Sequence, residues 1–324
     1  MKAIVYRNYG PPEVLSYEER AKPNPADNEV LIKVHAASVN PYEWHFMRGT
    51  PYLLRLMFGL RAPKDIRLGS DVSGDVEAIG RNVTQFKPGD LVFGSCRGAY
   101  ADYACASESA LTLKPQNVTF EQAASVPIAA FTALQGLRDK AHIQPGQKIL
   151  VNGASGGVGT FAVQIAKSFG AEVTGVCSTR NIEMVRSIGA NRVIDYTKQD
   201  FTGAGQHYDI IFDAIGNHSM SACSRVLNPQ GVLVMAGAPS GNWMIGAIIG
   251  RTIQARVLSR IGSRSFVGLH AKPSKEDLIT IGDLMRAGKI TPVIDRTYRL
   301  SETPEAIRYL EQGHARGKVI ITLG

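Results

Sequence analysis

The chain has 324 residues, room for about two domains at roughly 150 residues each, which excludes a small disulfide-stapled module. Its 44% apolar and 20% charged residues exclude a disordered or fibrous chain. A net charge of +8 suits phosphorylated ligands, nucleic acid or an anionic membrane surface without choosing among them.

To about residue 113 the chain offers short β segments at 3–6, 30–36, 72–79, 91–93 and 100–106, broken by Gly, Pro and Asn. The N-terminus has neither the apolar core nor the small-residue cleavage site of a signal peptide, so a cytoplasmic location is expected. After residue 119 helix and strand alternate: helix 120–137, strand 148–152, helix 157–169, strand 172–177, helix 182–188, strands 192–195 and 208–214, helix 219–227, strand 232–236. That alternation predicts a parallel, doubly wound α/β sheet, with Ile210-Ile211-Phe212 in a strand buried on both faces. Helices at 275–287 and 302–313 follow, the second opened by Ser301 as N-cap, and a last strand at 318–323 needs a sheet to join. The apolar run 243–249 is far short of the roughly 18 residues of a spanning helix. Cys96, Cys105, Cys177 and Cys223 stand singly, as reduced thiols rather than a disulfide framework.

Strand 148–152 runs into Gly153-Ala154-Ser155-Gly156-Gly157-Val158-Gly159 and then a helix, the strand, glycine loop and helix order of a dinucleotide fingerprint. Gly156 lets the backbone approach a pyrophosphate and Gly159 lets the helix pack closely, while Ala154 replaces the usual first glycine. Gly157, Val158 and the Ser155 hydroxyl offer donors at a helix N-terminus. About 20 residues on, an NAD site carries an acid for the ribose 2′-hydroxyl. Here the chain reads Cys177-Ser178-Thr179-Arg180; a guanidinium in place of a carboxylate favours the 2′-phosphate of NADP. Tyr196, after the third strand, is expected near the same region.

With this loop in place the whole chain resembles the medium-chain dehydrogenase/reductase superfamily, in its zinc-independent quinone oxidoreductase (zeta-crystallin-like) branch, and within it the chloroplast-envelope quinone oxidoreductase homologues. The matching pieces are Ala37-Ser38-Val39-Asn40-Pro41 with Trp44, Gly69-Ser70-Asp71-Val72-Ser73-Gly74, Phe86-Lys87-Pro88-Gly89-Asp90, the glycine loop, 177–180, and Gly317-Lys318-Val319-Ile320. The resemblance implies a GroES-like β-rich catalytic domain over 1–122, a Rossmann NADP-binding domain over 123–263 and a return to the catalytic domain over 264–324. Zinc-dependent members carry a Cys near Asn40 and a His-Glu pair after the glycine matching Gly69; here stand Asn40, Ser70 and Asp71, so no zinc site is expected.

Without a metal Lewis acid, hydride donation to an already electrophilic quinone or enone is easier than alcohol oxidation. The resemblance therefore implies an NADPH-dependent reductase of quinones or α,β-unsaturated carbonyls. Alternatives are a reductase of simple aldehydes or ketones, and an NADPH-binding protein with a nucleic-acid or partner-binding role; no aromatic-rich RNA motif supports the last. Catalytic candidates are Asn40, to bond a carbonyl or the cofactor; His45, as proton donor or phosphate-facing group; and the phenols of Tyr42 and Tyr52. Cofactor candidates beyond the loop are Thr132, at a family position beside the nicotinamide, Gly216 and Gly237 at strand ends, and Lys318 toward a phosphate. The apolar stretches 52–58 and 243–249, with Arg55, Arg61 and Arg251 nearby, suit a lipophilic pocket wall, a weak membrane-surface contact or subunit packing. The resemblance implies a homodimer.

Overall fold

The computed structural model describes residues 1–203, 205–237, 250, 253–259 and 262–324. The stretch 243–249 and Arg251 lie outside the described residues. Contacts divide the chain into two units, Met1–Ile128 with Pro273–Gly324, and Ala129–Lys272. The first holds the strands β1 (Lys2–Tyr6), β2 (Leu15–Glu19), β3 (Glu29–Val39), β4 (Asp71–Ile79), β5 (Leu91–Ser95), β6 (Tyr103–Ser107) and β7 (Leu111–Leu113). The second holds β8 (Lys148–Asn152), β9 (Glu172–Cys177), β10 (Arg192–Asp195), β11 (Tyr208–Asp213), β12 (Leu227–Met235) and β13 (Ser265–Gly268). The chain then returns to the first unit with β14 (Ile294–Arg299) and β15 (Lys318–Thr322).

In the first unit the sheet order is β14-β15-β3-β4-β5-β7, with β6 also on β3. The long strand β3 takes β6 along Glu29 to Lys33 and β15 along Ala36 to Val39, so the last strand joins the first unit's sheet as its apolar sequence requires. Ile32, Val72, Val92, Tyr100, Val319 and Ile321 are buried in one core, the main favourable term for this unit. The antiparallel register sets Val319 against Val39 and Ser38 against Asp71. Three strand ends thereby converge, at Ser38 to Asn40, Asp71 and Lys318.

The second unit is a parallel sheet of order β10-β9-β8-β11-β12-β13. Its strand order reverses between β8 and β11, the crevice where open α/β sheets bind ligands beyond the strand carboxyl ends. Ile149, Leu150, Val151, Ile211 and Phe212 are completely buried, as expected of central strands covered by helices.

Several boundaries differ from the expected ones. The helix expected over 120–137 is two, Phe120–Ala124 and Pro127–Gln135; proline lacks the N–H to continue a helix but suits its first turn. The chain crosses between units within the second of these. The short strand β13 continues the parallel sheet beyond β12 rather than belonging to the return segment. Strands β2 and β14 had no counterpart in the expectation: half-exposed and rich in charge, LSYEE and IDRTYR lack a clear alternating apolar face.

Candidate functional site

In the second unit β8 is followed by Gly153, whose φ of 84° is left-handed and suits glycine alone among ordinary residues. A side chain on Gly159 would drive its Cβ to 2.0 Å from the Gly153 carbonyl oxygen, so this glycine is demanded by the turn's own packing. Gly156 is different: a Cβ there would meet a single protein atom, at 3.5 Å. Its missing side chain serves no internal contact and leaves open the face of the loop that a ligand would approach. Gly156 is the N-cap of the helix Gly157–Ser168, with no side-chain cap and no acid in the first turn. The first N–H groups, from Gly157 through Val158 to Gly159, therefore carry the positive end of the helix dipole, the arrangement that binds phosphate.

At the end of β9, Asn181 Nδ2 donates to Ser155 Oγ at 3.0 Å and to Ser178 Oγ at 3.2 Å. This one carboxamide ties the glycine loop to the segment after β9. Its Oδ1 is buried with no hydrogen-bond partner, an expensive state for an amide oxygen. Thr179 and Arg180 form an exposed 3-10 turn, and the Tyr196 N–H donates to the Cys177 carbonyl, holding this exposed phenol beside the same strand end. Asp195 is nearby, but its carboxylate accepts the hydroxyls of Thr179 and Thr197 at 2.5 and 2.8 Å, bonds that hold its pKa below the usual carboxylate range.

Across the strand-order reversal, Asn152 stands opposite Asp213 and donates to its Oδ1 at 2.9 Å. The same oxygen accepts the Gly216 N–H at 2.9 Å, shaping the turn in which Gly216 has φ 78°. Gly237 follows β12 so tightly that a Cβ would come within 2.2 Å of the Ala214 carbonyl oxygen. Thr132 lies half-buried in the helix Pro127–Gln135. The open loop face and the uncapped helix end fit a dinucleotide pyrophosphate, and the orphaned Asn181 oxygen fits a hydroxyl donor such as a ribose offers.

In the first unit the convergence of strand ends produces a buried polar cluster. Lys318 is 3% exposed. Its ammonium donates to Asn40 Oδ1 at 2.5 Å and stands 3.8 Å from Asp71. Asn40 Nδ2 donates to Asp71 at 3.0 Å and to Ser38 Oγ at 3.3 Å, while Ser38 Oγ donates to Asp71 at 2.7 Å and Ile128 N–H to its other oxygen at 3.2 Å. Burial pushes the Asp71 carboxyl up and the Lys318 ammonium down, each opposed by the other's charge. Two expectations are corrected by this geometry. Lys318 is committed to Asn40 and Asp71 inside the first unit, not displayed to a phosphate. Asn40, 2% exposed, has both amide hydrogens and its oxygen engaged within the cluster, so it offers no free donor to a carbonyl.

Asn40 is also the N-cap of the helix Pro41–Arg48, and its side-chain oxygen accepts from the Lys318 ammonium. Its backbone N–H instead donates to Glu43 Oε2 at 2.7 Å. Burial, with Asp71 adding repulsion, pushes the Glu43 carboxyl up to about 7.

His45, on the same helix, sets Nδ1 3.0 Å from the Thr50 carbonyl. A carbonyl only accepts, so Nδ1 carries the hydrogen and Nε2 of the neutral ring is bare. Burial lowers its pKa, opposed by that same hydrogen bond. In the neutral ring Nε2 is therefore an acceptor. Tyr42 is half-exposed and packs on Phe46; its phenol is pushed up by burial and keeps its proton at neutral pH. Tyr52 is 64% exposed, beside exposed Leu53, Leu56 and Met57.

Asn152, Asp213 and Asn181 were missed in the sequence, although Asn152 ends one predicted strand, Asp213 stands next to the end of another and Asn181 follows shortly after a third. Among the described residues, no three His, Cys, Asp or Glu side chains are grouped as a metal ion requires. No helix among them is long and apolar enough to cross a membrane.

Residues 26–116 match the alcohol dehydrogenase GroES-like domain, and residues 188–321 match the zinc-binding dehydrogenase family. The chain is 34% identical to the mouse mitochondrial NAD(P)H oxidoreductase RTN4IP1, over 100% of this chain and 89% of the relative. It is 33% identical to a chloroplast envelope quinone oxidoreductase homolog of Arabidopsis thaliana, covering 99% of this chain and 98% of that one. Among solved structures, the quinone oxidoreductase of Coxiella burnetii superposes with a TM-score of 0.87 at 32% identity, covering 100% and 99% of the two chains.

Proposed function

The chain belongs to the medium-chain dehydrogenase/reductase family, in its quinone oxidoreductase branch, and from that premise of a nicotinamide-dependent oxidoreductase we propose that it reduces quinones or α,β-unsaturated carbonyls with NADPH. The observation that carries the cofactor choice is the end of β9, where Arg180 is exposed and the acid that would bond a free 2′-hydroxyl is absent. A guanidinium there grips a 2′-phosphate through two parallel hydrogen bonds. The one nearby acid, Asp195, is occupied by the hydroxyls of Thr179 and Thr197.

The reduced nicotinamide supplies a hydride when bound. The glycine loop and the first N–H groups of the helix Gly157–Ser168 would hold the pyrophosphate, and Asn181 fixes the Ser155 and Ser178 hydroxyls beside that loop. A quinone accepts a hydride and one proton to become a hydroquinone; an enone takes the hydride at its β-carbon and the proton at its α-carbon. The proton comes from water or from the phenols of Tyr42 and Tyr52. The exposed side chains of Leu53, Leu56 and Met57 favour lipophilic acceptors. Orientation of a reactive acceptor carries most of the rate enhancement.

The test is NADPH oxidation with EDTA present against an ortho-quinone, a long-chain enone, a saturated aldehyde and a ketone. Turnover of the first two is the expected result. Turnover of the aldehyde or ketone alone would replace this substrate class, and tight NADPH binding without any turnover would leave a binding role.

A further inference from the structure

A lysine, an aspartate and a glutamate side chain share one buried cluster at Asn40, and none of them takes part in cofactor binding as derived above. Removing a lysine–aspartate pair from water is expensive, and apolar residues of similar volume serve stability as well or better. Packing therefore does not account for the pair. Its geometry does: each polar atom of the Asn40 side chain is claimed, the oxygen by Lys318 and the two hydrogens by Asp71 and Ser38.

We propose that Lys318 is a positioning residue for the reductase reaction, its ammonium locking the Asn40 carboxamide and through it the first turn of the helix that carries Tyr42 and His45. The inference rests on the reductase reading. Residue 318 is held by the register of β15 against β3, which sets Val319 opposite Val39 and brings the ammonium to Asn40 Oδ1. Asp71 is held by the pairing of β4 with β3 and by the Ile128 N–H, so it returns a fixed negative charge to the same carboxamide. The N-cap side chain is thereby tied to Asp71 of β4 and Lys318 of β15, and the helix start is aligned by the sheet. The remaining tie, Asn40 N–H to Glu43, fixes the next turn. A small shift of Asn40 moves Tyr42, two residues on, and misplacement of this order lowers turnover while leaving the glycine loop of the second unit as it is.

Lys318→Met alone leaves Asp71 an unpaired buried charge and endangers folding, so the experiment uses the Asp71→Asn background, in which Lys318→Met leaves neither charge of the pair. In that background Lys318→Met, Asn40→Ala and the two together are compared for thermal midpoint, NADPH dissociation constant, and kcat and KM with an ortho-quinone. We expect the NADPH dissociation constant within about twofold in every variant. Each single change lowers kcat roughly 10- to 100-fold, the range of a hydrogen bond to a charged group, and the combination loses no more than the larger single loss, since both break one unit. Losses that multiply, or an unchanged kcat, overturn the proposal. Collapse of the fold of Asp71→Asn/Lys318→Met, which carries neither charge of the pair, also overturns it, because the lysine would then be structural. Absence of quinone and enone turnover by the unaltered protein overturns the reductase reading and this inference together.

Discussion

Asn181 donates to Ser155 across 26 residues of sequence, at 3.0 Å, and so couples the glycine loop after β8 to the segment after β9. The two halves of a dinucleotide site are joined by this carboxamide. Asn181→Ala removes the bonds to Ser155 and Ser178 from a buried position and is expected to lower stability by about 1–3 kcal/mol. It should weaken NADPH and NADH by similar factors, because what it holds is the part of the site common to both. Chemical denaturation and fluorescence titration with the two cofactors measure this; an unchanged affinity for both removes Asn181 from the site.

Arg180→Ala is the discriminating counterpart. The side chain is exposed, so stability should hold within about 0.5 kcal/mol. NADPH affinity should fall roughly 10- to 100-fold, the worth of a charge-assisted hydrogen bond to phosphate, while NADH changes by less than about twofold. Equal losses for both cofactors take Arg180 out of the 2′-phosphate site.

Two glycines of one loop should respond oppositely to the same added methyl group. Gly156→Ala meets a single protein atom at 3.5 Å; the protein is expected to fold with stability lowered by no more than about 1 kcal/mol, and cofactor binding to be lost or strongly weakened. Gly159→Ala places Cβ 2.0 Å from the Gly153 carbonyl oxygen, and the loop must distort, destabilising the second unit itself. Thermal midpoints with and without NADPH separate the two. A Gly156→Ala protein that binds NADPH normally would show that the open face of the loop is not the pyrophosphate face.

Glu43 sets a pH dependence of stability. Its pKa rises from 4.5 unfolded to about 7 folded, so its neutral form is the one favoured by folding. This contribution is complete below pH 4.5 and is lost as the pH rises toward and through 7. Glu43→Gln keeps an oxygen to accept the Asn40 N–H and has no charge to bury. The variant should therefore gain on the unaltered protein between pH 5 and 8, by on the order of 3 kcal/mol at the upper end. Urea unfolding at a series of pH values checks the sign; a difference that does not change with pH shows that Glu43 does not titrate in this range.

How much of this could be read from the residues follows from how local each signal is. Loop, strand and helix at 148–169 lie within a single stretch, and the glycines, the apolar strand and Arg180 all announce themselves. The cluster of Asn40, Asp71 and Lys318 does not, since Lys318 is 278 residues from Asn40 and only the register of three strands joins them. Both Asn40 and Lys318 stood out by resemblance, but as free groups for a carbonyl and a phosphate; that they satisfy each other is a tertiary fact. The break at Pro127 was legible and overlooked, because the apolar periodicity on either side reads as continuous. In β2 and β14, exposure on one side and charge on the other erase the alternation by which strands are found.

The central claim is hydride transfer from NADPH to an electrophilic carbon, and product labelling tests it most directly. The protein is incubated with an enone and NADPH deuterated at both C4 positions of the reduced nicotinamide, and the product is examined by mass spectrometry. The account predicts a saturated ketone carrying one deuterium, at the former β-carbon, and a slower reaction when NADH replaces NADPH. A saturated ketone without the label, or NADPH bound with neither enone nor quinone consumed, would contradict it.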